Sequence, residues 1–198
     1  MNLTYWVRHP WQAGQRIRYL IWQRRNPNAP WLCPGTIAFC EKHIHDSMTV
    51  LEFGCGRSTH WFSQLAETVV SIEYDADWYR HVGEQLRLAR KSNVDLRLTP
   101  LNHPLEVAEQ PDYDPVPDYV GILDSFPAES LDVVLVDGHY RTICARRAAV
   151  KIAPGGFLII DDLQRWPDWA HLTIPEDWEL VDHSSNGVKS AGIWQRPH

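Results

Sequence analysis

The sequence predicts an α/β fold: a doubly wound, mostly parallel seven-stranded sheet closed by a C-terminal antiparallel hairpin. Three observations carry that expectation. Short apolar runs recur at TVLEF (49–53), VVSIEY (69–74), LDVVLVDG (131–138) and FLIIDD (157–162). Each interval between them holds a stretch of helical character, as right-handed crossovers between parallel strands require. Near the C-terminus, Asn186-Gly187 separates WELVDHSS from VKSAGIW, a strong short-range hairpin signal.

The elements follow in order. QAGQRIRYLIWQRR (12–25) reads as a helix with Ile17, Leu20 and Ile21 on one face. The proline-rich NPNAPWLCPG (26–35) stops it, and a second helix spans about 35–46. Residues 1–34 thus form a basic helical arm, and 35–198 the α/β domain. After TVLEF, a helix at about 58–67 leads to VVSIEY, and a longer one at about 75–91 leads to VDLRL (94–98). Residues 99–115 carry four prolines and read as loop. DYVGILDSF (118–126) is a short helix before LDVVLVDG. The helix at 139–152 is expected to stop at APGG (153–156), with FLIIDD as the next strand.

Bulk properties narrow the function. A chain of 198 residues with 44% hydrophobic and 22% charged residues suits one soluble globular domain. The longest apolar run near the N-terminus is Tyr19–Trp22, so neither a signal peptide nor a membrane span is expected. Cys33, Cys40, Cys55 and Cys144 form no CxxC pair, which points to a reducing cytoplasm. His43-x-His45 reads as solvated surface rather than a metal site. The net charge is −6, yet residues 1–40 hold five arginines and no acid, leaving −11 on the other 158 residues. Eight acids and no Lys or Arg lie between Glu106 and Asp132. A broad nucleic-acid-binding face is therefore disfavoured, and only the arm suits an anionic partner.

In a doubly wound sheet the ligand site lies at the carboxyl ends of the strands. Those ends carry Gly54-Cys55-Gly56, Glu73, Asp137 and Asp161-Asp162. A dinucleotide turn would read G-x-G-x-x-G, but Thr59 stands at the third position. Glu52, two residues before the turn, is badly placed for a pyrophosphate and suits a cationic or amine-bearing ligand. Glu73, at the end of the second strand, is placed to accept hydrogen bonds from ribose hydroxyls. A ribose, a positive centre and no phosphate would satisfy both acids.

VLEFGCGRST, VVSIEYD, LDVVLVDG and APGGFLIIDD resemble, in order and spacing, the motifs of class I S-adenosylmethionine-dependent methyltransferases. The terminal hairpin resembles the last two strands of that fold, and the likeness covers about residues 35–196. The resemblance implies a methyltransferase using S-adenosylmethionine. Glu52, Gly54, Cys55 and Gly56 would lie around the methionine moiety, Ser58 at its carboxylate or capping the helix, Glu73 at the ribose and Asp137 near the methyl donor. The acceptor is expected to be a small or lipid-like molecule, methylated at oxygen.

A hydroxyl acceptor must lose a proton, to a base or to a metal-lowered pKa. His139, in DGHYR, is the candidate base, because the ordinary pKa of histidine lies nearest neutrality. Asp137, the other candidate catalytic group, could instead join Asp161 and Asp162 around Mg²⁺ or Ca²⁺ through oxygen ligands. That trio resembles the metal site of catechol-type O-methyltransferases, with departures at Tyr140 and Asp162. The arm is expected to pack over the cofactor cleft or to lie on an anionic membrane surface. Two other functions fit the same fold: an NAD(P)-dependent oxidoreductase, which needs a parallel sixth strand, and a nucleoside-binding protein without turnover.

Overall fold

The computed structural model describes residues 7–107, 110, 112–165 and 174–198. Helix α1 (Pro10–Arg25) and α2 (Pro34–His43) precede β1 (Thr49–Phe53). Then come α3 (Arg57–Phe62), β2 (Thr68–Glu73), α4 (Ala76–Leu88) and β3 (Val94–Leu98). Helix α5 (Asp118–Gly121) continues as a 3₁₀ turn and leads to β4 (Leu131–Val136). Helix α6 (Arg141–Ala148), β5 (Ile152–Ile160), β6 (Glu179–Ser185) and β7 (Ser190–Gln195) complete the chain. The seven strands lie in the order β3-β2-β1-β4-β5-β7-β6. Strands β1 to β5 pair in parallel, while β7 runs antiparallel to both β5 and β6.

Alternation along the strands builds two cores. On one face Leu51, Phe53, Ile72, Val134, Val136 and Leu158 pack with Tyr119, Leu123, Ile143 and Cys144. On the other, Val50, Val69, Val133, Leu135 and Ile159 pack with Leu32, Ile37, Cys40 and Phe62. All four cysteines are unpaired and buried. Among the described residues no helix is long and apolar enough to cross a membrane.

Three boundaries differ from the sequence expectation. Helix α6 stops at Ala148, and β5 begins at Ile152 rather than after Gly156. Leu131 pairs with Ile152 but Val133 with Phe157, so Ala153-Pro154-Gly155-Gly156 bulges out of the ladder. Second, α3 is one and a half turns long, ending at Phe62. Third, the hairpin is real but its loop has four residues, because Ser185 pairs with Ser190. Asn186 Oδ1 accepts from the N–H groups of Val188 and Lys189, building the turn from its side chain. Gly187 adopts φ +86°, and a Cβ there would strike the backbone of α1 at Gln12. The arm therefore seats on the hairpin loop. Its connector, not its helix, reaches the strand ends.

A candidate nucleoside cleft at the strand ends

Gly54 continues the hydrogen bonding of β1, donating to Ile72 O at 2.8 Å, and turns the chain at φ +93°. A Cβ on Gly54 would lie 3.2 Å from the backbone of Asp137 and Gly138. The ends of β1 and β4 thus touch backbone to backbone, which only glycine permits. Gly138 is as confined from the other side, where a Cβ would strike the Tyr119 hydroxyl. At Gly56 the nearest obstacle to a Cβ is Trp78, at 3.9 Å.

Glu52 corrects the sequence reading. It is fully buried on the α2–α3 face of β1, at a position where alternation puts an apolar residue, and it does not line the cleft. Its Oε2 accepts from the hydroxyls of Thr59 (2.6 Å) and Ser71 (2.8 Å). Thr59 Oγ1 in turn accepts from the N–H of Gly56 at 2.9 Å. This chain explains why Thr59 replaces a third glycine: its hydroxyl ties the buried acid to the turn. Glu52 acts on the turn through Thr59, as a positioning residue.

Burial pushes the Glu52 carboxyl up to about 7, against the opposing pull of the Ser58, Thr59 and Ser71 hydroxyls. The unfolded chain ionises this group near its ordinary value of about 4.5, so the native state holds the extra proton in between. Stability from Glu52 is therefore present below pH 4.5 and lost as pH rises to about 7. Glu52→Gln keeps an acceptor for Thr59 and Ser71 but cannot ionise. Urea unfolding should find it more stable than the parent at pH 8, by up to about 3 kcal/mol, with little difference near pH 4.5. An equal gap at both pH values would contradict this.

Glu73 ends β2 and is 3% exposed. Its Oε1 accepts from the N–H groups of Tyr74 and Asp75, both at 2.8 Å, and Oε2 from Cys55 N–H at 3.2 Å. A carboxylate has about four acceptor positions, so one on Oε2 is left for a ligand. Asp75 caps α4 by accepting from Asp77 and Trp78 N–H, and Trp78 Nε1 donates to Cys55 O at 2.8 Å. Trp78 thereby braces the glycine turn.

A cleft of about 460 Å³ opens over these groups, within the roughly 300–1,000 Å³ of small-molecule sites. Gly54, Cys55, Gly56, Ser58, Glu73, Asp137 and His139 all line it. The structure thus brings together every predicted cofactor or catalytic residue except Glu52. It also adds Trp31, Tyr74, Trp78 and Glu106, which motif spacing did not single out.

His139 stands edge-on to Tyr74, with ring centroids 4.2 Å apart. Its Nδ1 lies 2.9 Å from Glu106 Oε1, an ion-pair contact out of line for a hydrogen bond. Glu106 comes from the loop after β3, where no periodicity marks it.

Asp137, Asp161 and Asp162 do converge, with ligand atoms within 4.8 Å of one another. Two cations sit among them, and a third, Arg165, lies 3.7 Å from Asp162 Oδ2 at their exposed edge. Arg141 Nη2 lies 3.0 Å from Asp137 Oδ1 and 3.4 Å from Asp162 Oδ2. Lys189 Nζ, from the hairpin loop, lies 3.2 Å from both Asp161 Oδ2 and Asp162 Oδ1. Burial and the neighbouring Asp161 raise the Asp137 pKa, opposed by Arg141 and Lys189. Burial likewise raises Asp161, and Asp162 adds to it. Burial would also raise Asp162, but the Gln164 hydrogen bond, Arg141 and Lys189 outweigh it, so that carboxyl is lowered. Mg²⁺ or Ca²⁺ needs six or more oxygen ligands and would have to displace both side chains. The trio does not fit a divalent ion as it stands; it is a buried charge network that ties β4 and β5 to the hairpin.

No protein-family model matches the sequence, and no curated protein matches it. Solved structures do match. A methyltransferase-like protein from Silicibacter pomeroyi is 24% identical, with TM-score 0.58, over 86% of this chain and 90% of that one. SMU.1697c from Streptococcus mutans, solved in complex with SAH, is 10% identical, with TM-score 0.59, over 81% and 94%. An rRNA methylase from Streptococcus thermophilus is 12% identical, with TM-score 0.57, over 82% and 95%. Similarity at this level speaks to architecture, and it agrees with the strand order and the antiparallel β7. The chain has the fold of the class I S-adenosylmethionine-dependent methyltransferases.

Proposed function

We propose that this chain is a methyltransferase that uses S-adenosylmethionine to methylate a hydroxyl of a small-molecule or lipid-like acceptor. One observation carries the proposal: the glycine turn, Glu73, Asp137 and His139 share a single cleft at the carboxyl edge of the sheet. S-adenosylmethionine, when bound, supplies an electrophilic methyl group for in-line displacement. The backbone of Gly54, Cys55 and Gly56, with Ser58, forms the cradle for its amino-acid end. The remaining acceptor position on Glu73 Oε2 suits a ribose hydroxyl. An oxidoreductase is disfavoured because β7 is antiparallel and Thr59 fills the position of the third glycine.

His139 is placed to take the proton of the acceptor hydroxyl. With Nδ1 against Glu106, Nε2 is the nitrogen left for that proton, and the Glu106 carboxylate stabilises the resulting imidazolium. The four buried, unpaired thiols suit a reducing compartment such as the cytoplasm.

Glu73→Ala tests the cofactor assignment. It removes one charge-assisted hydrogen bond to the ligand, so S-adenosylhomocysteine binding by calorimetry should weaken by about tenfold to a hundredfold. Glu73→Ala also orphans three backbone N–H groups, so its thermal midpoint is measured alongside. Unchanged affinity in a folded variant would contradict the ribose role.

A further inference from the structure

We infer that the outward face of α1 docks this protein on an anionic lipid surface. Helix α1 carries apolar side chains on two faces, one against the body and one in solvent. Its half-buried side carries Ala13, Trp22 and the buried Tyr19, with Trp22 packed on the core, together with Gln12, Gln15, Arg16 and Gln23. Four other apolar residues face away from the body: Ile17 is 59% exposed, Ile21 48%, Leu20 42% and, at the N-terminal end, Trp11 75%. A helix that packs only on its own domain places such residues inward.

The inward side is nevertheless anchored. Tyr19 stacks on Trp22, Arg16 lies over the Tyr19 ring, and Gly187 lets the hairpin loop approach Gln12. The exposed face is therefore held in place, ready-formed, and needs no folding on contact.

Charge identifies the occupant. Arg8, Arg18, Arg24 and Arg25 are all exposed on this arm, with no acid among residues 1–40. Aliphatic side chains and an indole mixed with arginines match the boundary between headgroups and acyl chains. A phosphate backbone alone would engage the arginines and leave Ile17, Leu20 and Ile21 in water. The other 158 residues carry −11, so an anionic surface repels the body and orients the protein arm first. The connector from α1 leads to Trp31, which is 56% exposed at the cleft, so docking brings the cleft near the surface. The inference rests on the arm alone and stands whether or not the cleft performs methyl transfer.

Vesicle flotation of the full chain tests it, with neutral phosphatidylcholine vesicles and with vesicles containing roughly a third phosphatidylglycerol. Binding should require the anionic lipid and weaken as added salt screens it. Replacing Arg18, Arg24 and Arg25 together by Gln should cost about a hundredfold in partitioning. The pair Ile17→Gln and Ile21→Gln, both exposed and so harmless to folding, leaves the charge unchanged and should cost about thirtyfold or more through lost apolar burial. No binding to anionic vesicles overturns the inference. So does binding that survives the Ile→Gln pair, since that would be charge attraction alone. RNA binding without vesicle binding, or a dimer that the same pair dissolves, would assign the face to a different partner and overturn it as well.

Discussion

Gly54→Ala is expected to cost at least about 2 kcal/mol of stability and to abolish nucleoside binding. The left-handed conformation at φ +93° alone costs an L-residue roughly 1–2 kcal/mol. The new methyl would also press on the backbone of Asp137 and Gly138 at 3.2 Å, and backbone cannot rotate away. Relief comes only by parting the ends of β1 and β4, where the cleft is built. Gly56→Ala makes the informative contrast. Its methyl meets only the edge of Trp78, at 3.9 Å, so stability should change by less than about 0.5 kcal/mol. If a ligand lies against the turn, that methyl displaces it, and affinity should still fall by about a hundredfold. Urea midpoints and calorimetry on the two variants separate folding from binding. Equal affinity in Gly56→Ala and the parent would mean that no ligand approaches the turn.

His139→Ala is expected to lower the rate of methyl transfer by about 10²- to 10⁴-fold, the usual contribution of a general base. Its KM for S-adenosylmethionine should stay unchanged, because the proposed function assigns that ligand to Glu73 and the glycine turn. Glu106→Gln should give a smaller loss of the same kind, since Glu106 touches His139 rather than the reacting atoms. A rate unaffected by either change would leave His139 as a wall residue. Tight nucleoside binding with no turnover on any hydroxyl acceptor would favour a binding protein on the same fold.

The strands were legible because a parallel sheet buried on both faces writes itself as short apolar runs at helix-length intervals. The acids and glycines at the strand ends were legible because that edge is where loops leave the sheet toward a ligand. What was not legible came from elsewhere in the chain. Lys189 reaches Asp161 from 28 residues away, and Glu106 reaches the Tyr140 N–H from 34. Neither lies on an element whose period would predict the meeting. Glu52 was misjudged for a related reason: proximity to the turn in sequence suggested the cleft, but strand alternation sends its side chain to the opposite side. The start of β5 was missed because Pro154, Gly155 and Gly156 signal an interruption, and in β5 that interruption is a bulge within the strand.

On the proposed function, this cleft takes a nucleoside bearing a sulfonium or thioether and not a dinucleotide. Calorimetric titration of the purified chain with S-adenosylhomocysteine and, separately, with NAD tests it most directly. Roughly micromolar binding of S-adenosylhomocysteine at one site per chain, about −8 kcal/mol, is expected, with no detectable heat with NAD. Tight NAD binding, or no nucleoside binding in a folded sample, would contradict it.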